Sequence, residues 1–251
     1  MKTVQIKNLV LGSGRPKVAV PITGKSLEEI AEQAQTIAQQ KPDMVEWRID
    51  FFKDVMDKLI LQAGAQKLRK ILGETALLVT FRTQAEGGEL ALDDDGYFKL
   101  IHEVIQEKIG DAVDLERYHD EGKIKELVGA AHENEIIIIM SNHDFEKTPS
   151  KQEIIERLSS MVALGADIAK IAVMPNSNGD VLTLLQATKE AAEKLSKPLI
   201  TMSMGNLGKV SRISGEVFGS ALTFASVTQA SAPGQIELAH LRQELEDLKL
   251  S

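Results

Sequence analysis

The chain has no cysteine among its 251 residues. That excludes disulfides, thiolate metal sites and a cysteine nucleophile, and it fits a reducing cytoplasm. Basic residues are not in excess either: 29 lysines and arginines face 37 aspartates and glutamates, a formal net charge of −8 with neutral histidines. This balance, without a basic tail, argues against nucleic acid as a partner. No apolar run approaches the ~20 residues that a membrane-spanning helix needs. Met1 to Leu11 alternates polar and apolar residues and lacks the apolar stretch of a signal peptide. No Pro/Gly/Ser-rich linker or low-complexity stretch divides the chain, so one domain over 1–251 is expected. A dinucleotide-type glycine turn is missing from its proper place: Gly12-Ser13-Gly14 comes before the first long apolar run, not after it. An open doubly wound sheet would want the reverse order.

What is present is a recurring alternation. Apolar, strand-like runs fall at Val18–Ile22, Met44–Arg48, Ala76–Phe81, Ala112–Glu116, Ile136–Ser141, Ala166–Val173, Pro198–Met204 and Ala221–Phe224. Their starts are roughly 23 to 36 residues apart, the spacing that eight βα units in about 250 residues require. Ile136–Met140 is apolar without alternation, as a strand buried on both faces should be. Helical patterns fill most gaps. Ser26-Leu27-Glu28-Glu29 and Ser150-Lys151-Gln152-Glu153 read as capping boxes, each followed by an apolar stripe. Further helices are expected near 55–72, 96–109, 120–134, 180–195 and 235–249. The fold class is therefore α/β, a (β/α)8 TIM barrel. Lys7-Asn8, between two short apolar runs in Val4–Leu11, suggests an N-terminal β-hairpin closing the barrel bottom.

In such a barrel, chemistry sits at the C-terminal strand ends. Ionisable residues gather there on five consecutive strands. The ends read Glu46-Trp47-Arg48-Ile49-Asp50, Thr80-Phe81-Arg82 with Glu86-Gly87-Gly88 beyond, Asp114-Leu115-Glu116, and Ser141-Asn142-His143-Asp144, and Lys170 lies on the sixth strand. A period of two puts Glu46 with Arg48, Asp114 with Glu116, and Ser141 with His143 on common faces. Lys170 stands in an otherwise almost wholly apolar strand, and lysine is rarely buried without a partner. Two readings follow: a structural lysine bonded to a carboxylate such as Glu116, or an amine nucleophile exposed by burial and by the positive field of Arg82 and Arg212. His143 is likewise either structural or a proton-transfer group. His102, His119, His132 and His240 fall in helical or loop stretches and read as surface residues. Gly205 to Arg212, after the seventh strand, is either a plain turn or an anion site. Ser231 to Gln235, after the eighth, is either an ordinary loop or a lid.

Together these segments resemble the type I 3-dehydroquinate dehydratases of the shikimate pathway. The motifs are Glu46-Trp47-Arg48-Ile49-Asp50, Thr80-Phe81-Arg82-Thr83 with Glu86-Gly87-Gly88, Ser141-Asn142-His143-Asp144-Phe145, Ala169-Lys170-Ile171-Ala172 with Met174-Pro175, Met204 through Ser211-Arg212, and Ser231-Ala232-Pro233-Gly234-Gln235. They span nearly the whole chain in the family's order. Thr228-Gln229 looks variable and takes no role. The resemblance implies dehydration of the small molecule 3-dehydroquinate to 3-dehydroshikimate in a cytoplasmic homodimer, without metal or organic cofactor. It implies an imine on Lys170, His143 as general acid/base, and Glu86 orienting His143. Arg212 and Gln235 would hold the substrate carboxylate, Glu46, Arg48 and Arg82 its hydroxyls, and Ser231 would belong to a closing loop. Other readings of the residues are a class I Schiff-base aldolase, a metal-dependent barrel enzyme using Glu46, Asp114, Glu116 and His143, and a non-catalytic metabolite-binding barrel.

Overall fold

The computed structural model describes residues 2–227 and 231–250; Thr228-Gln229 lie outside them. Eight parallel strands form the barrel wall: β3 (Lys17–Ile22), β4 (Met44–Arg48), β5 (Ala76–Thr80), β6 (Ala112–Glu116), β7 (Ile137–Asp144), β8 (Ile168–Val173), β9 (Leu199–Ser203) and β10 (Leu222–Ser226). Continuous ladders run from β10 through β3 to β9. The ring closes between β9 and β10 by one parallel bridge, Leu199 to Ser220. At that seam the Ser220 hydroxyl accepts a bond from the Thr201 N–H, 3.0 Å, where a ladder bond would otherwise run.

Strands β4, β5, β6, β8 and β9 are buried at every position, as expected of parallel strands covered on both faces. The pleat sorts their side chains. Trp47, Val79, Leu115, Met140 and Ile171 point outward and join the large core under the helices. Met44, Leu78, Ala112, Ile139, Ile168, Ile200 and Phe224 point inward and form a second apolar cluster. The helices outside are α1 (Leu27–Gln39), α2 (Lys58–Leu72), α3 (Asp94–Gln106), α4 (Glu121–Glu133), α5 (Lys151–Ala163), α6 (Asn178–Lys194), short α7 (Lys209–Ile213) and α8 (Gly215–Phe218), and α9 (Leu238–Asp247).

The N-terminal hairpin forms as expected: β1 (Val4–Ile6) pairs antiparallel with β2 (Leu9–Leu11). Its Ile6 and Leu11 are fully buried and join the inward cluster, so the hairpin plugs the bottom of the barrel. Two details differ from expectation. β7 runs on to Asp144 because its pairing with β8 continues through His143–Ala172 and Asp144–Val173; His143 is therefore a strand residue. The last helix begins at Leu238, not near 235, because Ile236–Glu237 pairs as a short strand, β11, with the end of β10. Ser26 and Ser150 do cap α1 and α5. The reciprocal bond of a full capping box occurs instead at Ser177 and Asp180 on α6.

Candidate active site

The inward parity that packs the lower barrel continues upward into polar residues. Above Met44 come Glu46 and Arg48; above Leu78, Thr80 and Arg82; above Ala112, Asp114 and Glu116; above Ile139, Ser141 and His143; above Ile168, Lys170. All of them except His143 are buried, and His143 is nearly so. With Arg212, Ser231, Gln235 and an apolar wall of Ala172, Met202, Met204 and Phe224, most of them line one cavity. A few convergent polar groups against an apolar wall are the usual lining of a small-molecule site.

Lys170 is 3% exposed. Its ammonium donates to Asp114 Oδ2 at 2.9 Å and lies 5.0 Å from the centre of the Phe224 ring. The carboxylate partner is thus Asp114 and not Glu116. Arg82 ties the two carboxylates together: Nη2 donates to Asp114 Oδ1 and Nη1 to Glu116 Oε1, both at 2.7 Å, and Nη1 also reaches the Ser141 hydroxyl. Burial opposes charge on all three groups, but their mutual attraction wins. Arg82 keeps its proton well above the ordinary range, and the Asp114 carboxyl is held well below it by Arg82 and Lys170.

His143 belongs to a different set of contacts. Its ring Nδ1 and its backbone N–H both lie 2.9 Å from Glu86 Oε2, and the Asn142 amide donates to Glu86 Oε1 at 2.9 Å. Burial, then Arg82 and Lys170, push the imidazole well below its usual range, so it is neutral at pH 7. With Glu86 ionised, Nδ1 carries the ring proton and Nε2 has the free lone pair. Burial raises the Glu86 carboxyl to about 7, against the pull of Arg82.

The opposite side of the mouth is built differently. Arg212 is 1% exposed, and among the described residues no carboxylate pairs with it. Nη2 donates to the Pro233 carbonyl at 2.9 Å, and Nε is buried without a partner. Burial brings its pKa down to about 10, so it stays cationic at neutral pH. The neighbouring loop folds on itself: Gln235 accepts from the Ser231 N–H and donates to its hydroxyl. Gly234 (φ +78°) lies so close to Gly205 that a Cβ would fall 2.3 Å from the Gly205 carbonyl oxygen. A buried guanidinium with no carboxylate partner among the described residues can accept one from a ligand.

Each residue expected at the site lines this one cavity. Arg48 makes a bidentate pair with Asp50 through Nε and Nη2, both 2.8 Å, and Glu46 accepts from the Thr80 hydroxyl at 2.8 Å. Reasoning from sequence passed over Asn142 and Asp50, which hold Glu86 and Arg48; each stood within a recognised motif, and that was the available signal. His119 corrects an expectation. It is not a plain surface residue: its ring stacks on Tyr97 at 4.4 Å, bonds Asp94 at 3.0 Å and approaches Glu116 at 3.4 Å. The stacking and the two carboxylates draw it under the rim. Among the described residues no group of acidic, histidine or cysteine side chains is arranged to hold a metal ion. Nor is any helix among them long and apolar enough to cross a membrane.

The sequence profile of the type I 3-dehydroquinase family matches residues 18–250. A 3-dehydroquinate dehydratase of Lactiplantibacillus plantarum is 59% identical over 248 residues, 99% of this chain and 98% of that one. The structure of type I 3-dehydroquinate dehydratase from Clostridium difficile, described with covalently modified comenic acid, is 44% identical with a TM-score of 0.96, covering 99% of this chain and 98% of that one. The 3-dehydroquinate dehydratase structure from Enterococcus faecalis is 42% identical with a TM-score of 0.91, covering 98% and 99%.

Proposed function

This chain belongs to the type I 3-dehydroquinase family, and we propose that it dehydrates 3-dehydroquinate through an imine on Lys170 with His143 carrying the proton. The dehydratase activity of the shikimate pathway comes with the family; the residue roles rest on the geometry of the mouth. One observation carries them: a buried lysine, an imidazole held by a carboxylate, and a guanidinium with no carboxylate partner among the described residues share one cavity. The covalently modified comenic acid of the Clostridium difficile relative supports covalent chemistry in this fold.

The chemistry runs as follows. Once its proton has passed to a base, the Lys170 amine adds to the substrate ketone, and loss of water leaves a protonated imine. His143 Nε2 takes a proton from the carbon beside the imine carbon. The electron pair moves into the C=N⁺ group, which becomes an enamine. The enamine then expels the hydroxyl of the next carbon, and the imidazolium proton turns it into water. Hydrolysis of the product imine returns Lys170 and the ketone. Glu86 holds His143 in the tautomer that leaves Nε2 free. Arg212 and Gln235 grip the carboxylate under the Ser231 loop, and Glu46, Arg48 and Arg82 face the hydroxyls.

The aldolase, metal-dependent and non-catalytic readings give way to the family assignment. Asp114 and Glu116, two of the four ligands the metal reading needs, are engaged by Arg82. From the same resemblance we carry one catalytic domain over 1–251 and a cytoplasmic homodimer, which sedimentation velocity tests. For the chemistry, borohydride with 3-dehydroquinate should add a reduced ligand to the peptide containing Lys170. Lys170→Ala should lose the adduct and at least about 10⁴-fold in turnover. An adduct on another lysine, or an active Lys170→Ala enzyme, refutes the proposal.

A further inference from the structure

Glu86 touches His143 on one side and Asn142 on the other, and Asn142 is itself gripped from outside the mouth. Strand parity sends Asn142 to the outer face of β7, opposite to Ser141 and His143. There its carbonyl oxygen accepts a 2.8 Å bond from Arg157 Nη1, on α5. Its amide nitrogen donates to Glu86 Oε1 at 2.9 Å. Glu86 Oε2 serves the His143 backbone N–H and ring Nδ1. We propose that Arg157 is a positioning residue for the dehydratase: by fixing which end of the Asn142 amide faces Glu86, it favours the Glu86 carboxylate and holds His143 in its working tautomer. The inference rests on the roles given above to Glu86 and His143.

The physical reason is a polarity lock. A guanidinium has donors only, and an ionised carboxylate has acceptors only. A primary amide between them satisfies both in one orientation: oxygen toward Arg157, nitrogen toward Glu86. Turned over, it would put N–H₂ against a cation and a carbonyl against an anion. Without Arg157, nothing on the outer side chooses between the two. Arg157 is itself well held. It pairs with Glu153 of its own helix, lies 3.7 Å from Asp144, and its guanidinium stands 5.7 Å from the centre of the Tyr118 ring, which Arg117 also faces. Facing Glu86 from the other elements are Arg82 at 3.5 Å, His143, and the charges of Asp114 and Glu116. Of the inputs that favour its ionised form, Arg82 belongs to the substrate cavity, His143 to the proposed proton transfer, and Asn142 is the one that Arg157 controls.

The direction of the effect follows. The donated Asn142 bond lowers the Glu86 pKa, so losing it raises that pKa, and more of the enzyme is protonated on Glu86 at a given pH. The experiment is the pH profile of kcat/KM for wild type, Arg157→Met, Arg157→Lys, Asn142→Leu and the Arg157→Met/Asn142→Leu double variant, with His143→Ala alongside. One hydrogen bond corresponds to a shift of about half to one pH unit. The acid limb of Arg157→Met should move up by that amount, with KM on the plateau nearly unchanged. Arg157→Lys should recover part of it, since an ammonium also demands the amide oxygen. Asn142→Leu should shift the limb at least as far, and the double variant no farther than Asn142→Leu alone. An unmoved limb in Arg157→Met, or shifts that add in the double variant, overturns the inference. Should Arg157→Met fail to fold, Asn142→Leu decides, and an unmoved limb there overturns it equally. Wild-type turnover in His143→Ala would instead bring down the underlying roles, and the inference with them.

Discussion

Between β5 and β8, the buried cations Arg82 and Lys170 each meet a carboxylate, whereas Arg212, after β9, meets only carbonyl oxygen and sulfur among the described residues. All three cations are buried. The two regions differ in what completes them. The first is finished by folding: Asp114 and Glu116 come from β6, Lys170 from β8 and Arg82 from the segment just after β5, and barrel closure brings the charges together. The second, in the proposed function, is finished by a ligand that brings its own negative charge. Buried charges without partners are costly. Where one persists, the missing partner is the informative feature, and a carboxylate of the proposed substrate would supply it. In the proposed mechanism the covalent and proton-transfer chemistry thus lies across the mouth from the carboxylate grip, with Lys170 and His143 on the completed side.

That division can be broken from either side. The largest effect is expected at Arg82. Arg82→Met leaves Asp114, Glu116 and Glu86 without their shared counter-charge and should destabilise the ligand-free protein by about 3–5 kcal/mol in denaturant unfolding. Arg212→Met should do the opposite in the ligand-free protein, leaving the thermal midpoint at or above that of wild type, because it removes an uncompensated charge. Its cost should appear in binding: about 10²- to 10³-fold in kcat/KM, chiefly as a raised KM, with little rescue by Arg212→Lys, which cannot grip a carboxylate bidentately. If both variants destabilise alike, the two sides are not different in kind.

The smallest effect concerns Glu86. Its carboxyl sits at about 7 in the folded protein against an ordinary value of 4.5. A group whose pKa rises on folding contributes stability that is complete below the unfolded value and is lost as pH climbs through the folded one. The difference in thermal midpoint between Glu86→Gln and wild type should therefore move in the variant's favour from pH 5 to pH 8. The same variant should lose part of the acid limb of kcat/KM. A pH-independent difference would mean that Glu86 is ionised throughout. His143 works in the other direction: its depressed pKa costs stability as pH falls below about 6.5. The Glu86 comparison should accordingly be made in a His143 background that is unchanged.

Much of this was legible in the sequence because two periodicities coincide. Runs such as Ile136–Met140 announce strands buried on both faces, and counting by twos from Met44 to Glu46 and Arg48, or from Ser141 to His143, places polar groups above an apolar layer. The hairpin at Lys7-Asn8 and the burial of Lys170 were visible in the same way. Partner choice was not. Whether Lys170 meets Asp114 or Glu116 depends on the stagger between β6 and β8, which no local pattern records. His119 looked solvent-facing because its neighbours are polar, yet Tyr97, far back on α3, supplies a ring to stack on. The link from Arg157 to Glu86 crosses three elements, and only the folded chain shows its order.

The measurement that tests the account most directly is intact and peptide mass after borohydride treatment of His143→Ala and Arg212→Met, each with 3-dehydroquinate at a concentration that saturates wild type. His143→Ala keeps the lysine and the carboxylate receptor and lacks only the proton carrier, so it should be trapped nearly completely, on the peptide containing Lys170. Arg212→Met keeps the chemistry but not the grip, and should be trapped little at that concentration and more as substrate is raised. Equal trapping of the two variants, or an adduct on any lysine other than Lys170, would contradict the division of the mouth into a side that reacts and a side that grips the carboxylate.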